Sequence, residues 1–422
     1  MSNQRYRVLF IGSHPVQYQA PIFRRFAART DLDVHIAYCT LQGAEPAHDP
    51  DFGVTVQWDV PLLEGYSWSH VPNLGSGSTS FFGLCNPGIW KLIRNGNYDA
   101  VVCFTGYVCA TFWIACLAAK LSNTAFLFGT DATTLTPRDG RAWKISFKKI
   151  FWPRLFRLAD QAIAPSSGTR DLMLDLGIPA EHITLVPYSV GNEWWVRQAS
   201  QVDRSALRSS WGASINDAVI LFCAKLQPWK RPLDLLRAFA QAKLSNTILV
   251  FAGAGPLRSQ LESEAVTLGV SARVRFLGFL NQSQLPAIYT SSDLMVLPSE
   301  YEPFAVVVNE AMCCGCPVIA SDRVGAARDL IAPVCSQFVF PMGDIDALAA
   351  ILRKALADRV RLAAIGRAGP IHMQSWSPTQ NVAATVDAVR LAVSRMGRRP
   401  SRPLSDSTAP HATPTAQDRL HQ

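Results

Sequence analysis

Two carboxylates raise the first question of chemistry. Glu302 and Glu310 lie in PSEYEPFAVVVNEAMCCGCPVIAS (298–321), with seven residues between them. Eight helical steps of about 100° leave two side chains about 80° apart. A Glu302 in the loop before a helix and a Glu310 within it can therefore face one pocket. The end of such a loop presents backbone N–H groups that no helical carbonyl takes up, which suits an anion. A carboxylate further along accepts hydrogen bonds from a vicinal diol, such as a ribose. The competing reading makes Glu302 a helix cap and Glu310 a solvated surface residue, and spacing alone does not choose. Other candidates fail on their own terms. Gly253 and Gly255 in LVFAGAGPL (249–257) give G-x-G, but Arg258 occupies the third glycine position of the dinucleotide fingerprint. No G-K-[ST] is present, which argues against a P-loop. Cys313 and Cys316 form a C-x-x-C without two further ligands nearby, so no metal site is expected.

Short apolar runs alternate with helix-like stretches and must position these residues. In the first half the runs are 7–12, 32–38, 98–104, 124–130, 161–167 and 182–190, with helices expected near 20–29, 108–120 and 169–176. After Trp194-Trp195 the pattern restarts with runs at 218–225, 247–253, 274–280, 294–298, 317–321 and 338–340. Helices are expected at 232–243, 256–268, 283–291, 304–314, 344–369 and 379–396. Runs buried on both faces suit parallel sheets covered by helices. The polar, Ser-rich stretch 197–216 carries no strand pattern, and the link between domains is placed at about 190–205. Two such α/β units in series form a cleft onto which strand C-termini open. Residues 397–422 are rich in Pro, Ser and Thr and read as a disordered tail.

With 422 residues, 49% hydrophobic and 17% charged, the chain is long enough for two or three domains and too apolar to be disordered throughout. Forty Lys and Arg against 32 Asp and Glu give a net charge of +8, which favours acidic partners without naming them. The ten cysteines show no framework and read as buried thiols of a reducing compartment. With no signal peptide visible, the cytoplasm is the expected location. Residues 100–119 are uncharged and long enough to span a bilayer. Thr105-Gly106-Tyr107 interrupts them, and strand, turn and buried helix is the simpler reading.

The segment around the two glutamates resembles the E-x7-E signature of family 4 glycosyltransferases, of the retaining GT-B type. Glu302-Pro303-Phe304, Glu310-Ala311-Met312, Gly315 and Pro317-Val318 carry the match. Upstream, ILFCAKLQPWKRPLDLLRAFA (220–240) resembles the family's strand, basic residue, turn and Lys before a helix. Three positions depart from the family: Ala224 and Arg231 stand where Gly is usual, and Lys225 where Arg is usual, so a bidentate fork gives way to a point charge. The resemblance covers nearly all of 7–395. It implies a GT-B fold, with an acceptor-binding Rossmann-like domain (1–195) and a nucleotide-sugar-binding one (205–375) facing a cleft. A last helix (376–396) would return to the first domain.

The resemblance also implies an activity: a sugar passes from a UDP- or GDP-linked donor to a hydroxyl of a carbohydrate or lipid-linked acceptor, with retention. The expected setting is polysaccharide or glycolipid assembly. Lys225 and Lys230 would stabilise the departing diphosphate, consistent with fixed cations meeting developing charge, so neither metal nor cofactor is expected. Glu302 would meet the donor sugar and Glu310 the ribose, with Gly255, Leu280, Pro303, Phe304 and Ala305 on the donor side. In the N-terminal half, His14, Gln17 and Asp131 are candidates for sugar or acceptor. Many relatives carry a His near the reacting carbon, but here VCFTGY offers Thr105 and Tyr107 instead. A nucleotide-sugar epimerase, a phosphorylase-like enzyme and a non-catalytic sugar- or nucleotide-binding protein are the alternatives.

One basic stretch stands apart. Residues 138–157 hold seven cations against one Asp, and Trp143, Phe147, Ile150 and Phe151 share one helical face. Two readings stand: peripheral contact with an anionic membrane surface, on the inner face of the cell membrane, or aromatic packing on the sheet with solvated lysines. The charge would also suit nucleic acid, but no recognition pattern accompanies it, and none is expected as a partner.

Overall fold

The order in which strands join each sheet decides where a ligand can sit. In the computed structural model, which describes residues 4–49, 54–78, 80–136, 141–214, 216–397 and 402–403, two parallel sheets organise the chain. The first runs Trp68–His70, Leu32–Tyr38, Gln4–Gly12, Ala100–Cys103, Ala125–Gly129, Gln161–Ala164, Ile183–Leu185. The second runs Val274–Gly278, Thr247–Ala252, Ala218–Cys223, Leu294–Leu297, Val318–Ser321, Val339–Phe340. Each begins in the middle, builds outward, then returns to build the other way. The reversals fall between Gln4–Gly12 and Ala100–Cys103, and between Ala218–Cys223 and Leu294–Leu297. Crevices beyond the strand C-termini at such points receive ligands in doubly wound sheets.

The strands are apolar on both faces because both are covered. Leu9, Ile11, Val101, Phe126 and Phe128 pack against Phe112 and Ala115 of the Ala110–Leu121 helix and Trp152 and Phe156 of the Trp143–Phe156 helix. On the other face, Val8, Phe10, Ile36, Val102 and Leu127 meet Phe23 and Phe26 of Ala20–Ala27 and the C-terminal helix Pro378–Arg395. Val382, Val386, Val389 and Val393 form one stripe of that last helix. Pro378 and a capping Ser377 start it, and Asn381 Nδ2 donates to the Pro187 carbonyl at 2.8 Å. The chain thus has the GT-B arrangement of two Rossmann-like sheets, with its last helix returned to the first.

The expected link at 190–205 is largely helical. It holds the Asn192–Ala199 helix and runs into the Arg204–Ser210 helix, and Val190, Trp195 and, just beyond, Trp211 join the core of the second sheet. Serines face solvent there while the tryptophans dock inward, so a polar average concealed amphipathic helices. Asn192 Nδ2 donates to the Met373 carbonyl at 2.7 Å, tying the two crossings together. The membrane-like stretch resolves into the Ala100–Cys103 strand and the Ala110–Leu121 helix. Among the described residues no helix is long and apolar enough to cross a membrane. Of the tail expected to be disordered, 398–401 and 404–422 lie outside the described residues. Arg402–Pro403 pairs antiparallel with Gln4–Arg5.

Candidate active site in the cleft

Two turns of the C-terminal half hold its charged residues. After the Ala218–Cys223 strand the chain passes Ala224 and Lys225 and makes a tight helical turn, Pro228–Lys230, before the Pro232–Ala242 helix. Arg231 joins turn to helix in the left-handed region, φ +51°, which is the conformation a glycine there would adopt freely. Gly253 and Gly255 let a neighbouring loop close on this turn, since a Cβ on either would meet the backbone of Ala224 or Leu226 within 2.6 Å. The second turn follows the Leu294–Leu297 strand and delivers Glu302 ahead of the Val306–Cys313 helix. Glu302 N bonds the Arg323 carbonyl at 3.1 Å, and Gly325 N bonds the Glu302 carbonyl at 3.0 Å, so the loop is strapped to its neighbour. Ala305 enters the helix at φ +82°.

The turns converge. Lys230 Nζ pairs with Glu302 Oε1, which also accepts from Ser299 Oγ at 3.1 Å. Glu310 is buried and accepts from Tyr289 Oη at 2.9 Å. Burial pushes its carboxyl up to about 8, opposed only in part by that hydrogen bond. A cavity of about 470 Å³ is lined by Lys225, Lys230, Glu302, Pro303, Phe304, Ala305, Glu310 and Leu280 from the C-terminal half. Gln17 and Asp131 line it from the other half. Gly255 sits behind this wall as a spacer for the Lys225 turn, and Gly253 is the glycine on the surface of the cavity.

A second cavity, about 490 Å³, opens at the strand ends of the N-terminal half and is lined by His14, Thr105, Tyr107 and Thr130 among others. Tyr18, Asp131 and Tyr188 line both cavities, so the two share a wall. The hydroxyls on that wall stay protonated: burial, with Asp131 nearby, pushes Tyr18 up to about 12 and Tyr188 well above its ordinary value. Burial lowers the His14 pKa, so its ring is neutral at pH 7, and Nδ1 lies 3.0 Å from Ser13 Oγ. Thr105 is buried against Cys103 Sγ at 3.1 Å.

Several residues of this site carried no signal in the sequence. Tyr18, Trp58, Tyr188 and Gln282 all line the cavity of the C-terminal half. Gln282 is 7% exposed and its side-chain carbonyl has no hydrogen-bond partner. The halves also touch at the flanks of the cleft, through Asn281 Nδ2 to the Gln57 carbonyl at 2.7 Å and Ser167 N to Asp329 Oδ2 at 2.9 Å.

Two doubly wound parallel sheets on either side of a cleft are the arrangement of the GT-B class, here with lysines and glutamates on one wall and mostly hydroxyl and aromatic groups beside Asp131 on the other. Residues 15–189 match the Glycosyl transferase 4-like domain and 203–371 match Glycosyl transferases group 1. Each half of the chain thus matches a glycosyl transferase model, and together the two account for most of it. It is 31% identical over 244 residues to an uncharacterized glycosyltransferase of Methanocaldococcus jannaschii, covering 56% of this chain and 62% of that one. It is 34% identical over 220 residues to the D-inositol 3-phosphate glycosyltransferase of Mycolicibacterium smegmatis (51% and 47%). It is 30% identical over 244 residues to the GDP-mannose-dependent alpha-mannosyltransferase of Mycobacterium tuberculosis (56% and 58%). The chain therefore spans about half to three fifths of the length of these curated relatives. Among solved structures, Anabaena HepE in complex with UDP matches with TM-score 0.70 at 20% identity, over 91% of this chain and 99% of that one. Sucrose-phosphate synthase from Thermosynechococcus elongatus matches with TM-score 0.65 at 18% identity, over 93% and 100%. At these identities the likeness concerns the fold.

Proposed function

We propose that this protein transfers a hexosyl group, with retention, from a UDP- or GDP-linked sugar to an acceptor hydroxyl, in polysaccharide or glycolipid assembly. The observation that carries the reading is the convergence of Lys225, Lys230, Glu302 and Glu310 on one cavity that shares a wall with a second. Nucleotide sits in the C-terminal half, with the ribose hydroxyls donating to Glu310 and the diphosphate against Lys225 and Lys230. As the bond from the anomeric carbon to the diphosphate breaks, negative charge gathers on the departing oxygens, and fixed cations in a water-poor site stabilise it. The acceptor oxygen bonds the anomeric carbon, and its proton ends on the departing diphosphate. Glu302 holds the donor sugar, and its pairing with Lys230 couples sugar and phosphate positions.

Asp131, with the Tyr18 and Tyr188 hydroxyls, orients the acceptor at the shared wall, while His14, Gln17 and Tyr107 line its approach. The lysines neutralise the diphosphate without a metal. The solved HepE complex with UDP and the relative named for GDP-mannose support a nucleotide-sugar donor. Eight of the ten cysteines are buried, the usual place of thiols in a reducing compartment, which supports the cytoplasm as the setting. A thermal-shift screen of UDP- and GDP-sugars checks the donor. One nucleotide class should raise the melting temperature in the wild type and fail to do so in Glu310→Ala, and equal shifts in both proteins would remove Glu310 from the donor site.

A further inference from the structure

The basic helix presents its apolar stripe to solvent. On Trp143–Phe156 the side packed on the sheet is Trp152, Leu155 and Phe156, buried at 3%, 2% and 4% exposure. Trp143, Phe147 and Ile150, at i, i+4 and i+7, are 63%, 54% and 62% exposed. Packing of the stripe against the sheet, one of the two readings of the sequence, is therefore not what the fold does. Phe151 fixes the stripe's inner edge, stacked on Phe147 at 5.3 Å between ring centres and 5.7 Å from Tyr107. Tyr107 is held in turn by the Trp152 indole, whose Nε1 donates to its hydroxyl at 3.0 Å. Its carbonyl accepts from Trp113 Nε1 at 2.8 Å. Tyr107 and the half-exposed Val108 line the N-terminal cavity, so the stripe is continuous with that cavity's rim.

We infer that this face docks on an anionic lipid bilayer, with Trp143, Phe147 and Ile150 entering the headgroup boundary. Residues 141–157 supply six cations and no acid around the stripe. That charge complements an anionic leaflet and repels a second copy of the same face. Nucleic acid would engage the cations but leave the aliphatic Ile150 and the rest of the stripe in water. Docking rests on the helix alone. Its corollary rests on the proposed function: the cavity rim meets the membrane, so the acceptor is an amphiphile whose lipid stays in the bilayer while its sugar enters the cleft.

Sedimentation with vesicles tests the docking. The protein should pellet with phosphatidylglycerol/phosphatidylcholine vesicles, release in high salt, and stay in solution with phosphatidylcholine alone. Lys149→Ala and Arg154→Ala should each weaken partition roughly fivefold, as about 1 kcal/mol per cation implies. The triple change Trp143→Ser, Phe147→Ser, Ile150→Ser should weaken it about tenfold or more. Nucleotide release with a water-soluble acceptor should be unchanged in all of these, which separates failed docking from a failed enzyme reading. A wild type that ignores anionic vesicles, a triple variant that still pellets fully, or retention of duplex RNA in place of vesicles would overturn the proposal.

Discussion

The two halves share a strand order and a crevice but furnish it differently. The C-terminal half places Lys225, Lys230, Glu302 and Glu310 at its strand ends. The N-terminal half places His14, Tyr18, Thr105, Tyr107 and Asp131 at the equivalent ends. One wall is charged and the other is mostly neutral hydroxyl and aromatic. Equal topology thus supplies two cavities, and the proposed function places the diphosphate in the one with the lysines.

The sharpest way to break this division is to remove a cation. Lys230→Ala should lower turnover about 10²- to 10³-fold, the usual cost of losing one group that meets developing charge, with the thermal melt retained. Lys225→Ala repeats the test at the other cation, and near-normal turnover in both variants would end the assignment of the diphosphate to this half.

Next in size is Glu310. Its raised pKa means that the folded chain holds a proton the unfolded chain releases between about pH 4.5 and 8. This group therefore favours the ligand-free fold at low pH, and the contribution fades as pH rises towards about 8. On the proposed function ribose hydroxyls donate to the ionised carboxylate, so nucleotide affinity should climb as pH rises towards about 8 and level off above it. Glu310→Gln should lose about 1.5–3 kcal/mol of binding at high pH and flatten the profile, as calorimetric titrations across pH would show.

Asp131→Asn probes the other wall. It should leave nucleotide affinity within about twofold while raising the acceptor KM or lowering kcat about tenfold, on the scale of one hydrogen bond to a charged group. Loss of nucleotide affinity instead would erase the distinction between the halves. The smallest effect concerns Ala305, held at φ +82°. Ala305→Gly should stabilise the fold by up to about 1 kcal/mol, read as a small rise in Tm, since a glycine carries no Cβ penalty there.

The same contrast explains what could be read in advance. In the C-terminal half the chemistry lies in two continuous segments, and the helix expected at 304–314 spans Val306–Cys313. A run of apolar residues bounded by turns fixes such elements locally. The cleft wall of the N-terminal half is gathered from separate strand ends that only the fold brings together. Tyr188 fell within a run read as strand to 190, whereas the strand ends at Leu185 and releases Tyr188 into the cleft, stacked on Phe304 at 4.8 Å. Tyr18 and Trp58 belong to no motif in the sequence, and only the fold brings them to the cavity. Gln282 differs from an ordinary polar residue only in the fold, where its side-chain carbonyl is buried without a partner. The stripe on Trp143–Phe156 was visible as a period, but which side faced the sheet depended on Trp152 and Phe156 winning the interior.

The most direct test is release of nucleoside diphosphate from a panel of nucleotide sugars, with and without acceptor. The wild type should free UDP or GDP from one donor class, faster with an acceptor present, while Lys230→Ala binds that donor and releases far less. A wild type that binds nucleotide yet cleaves no nucleotide sugar under any acceptor condition would contradict the glycosyl-transfer reading.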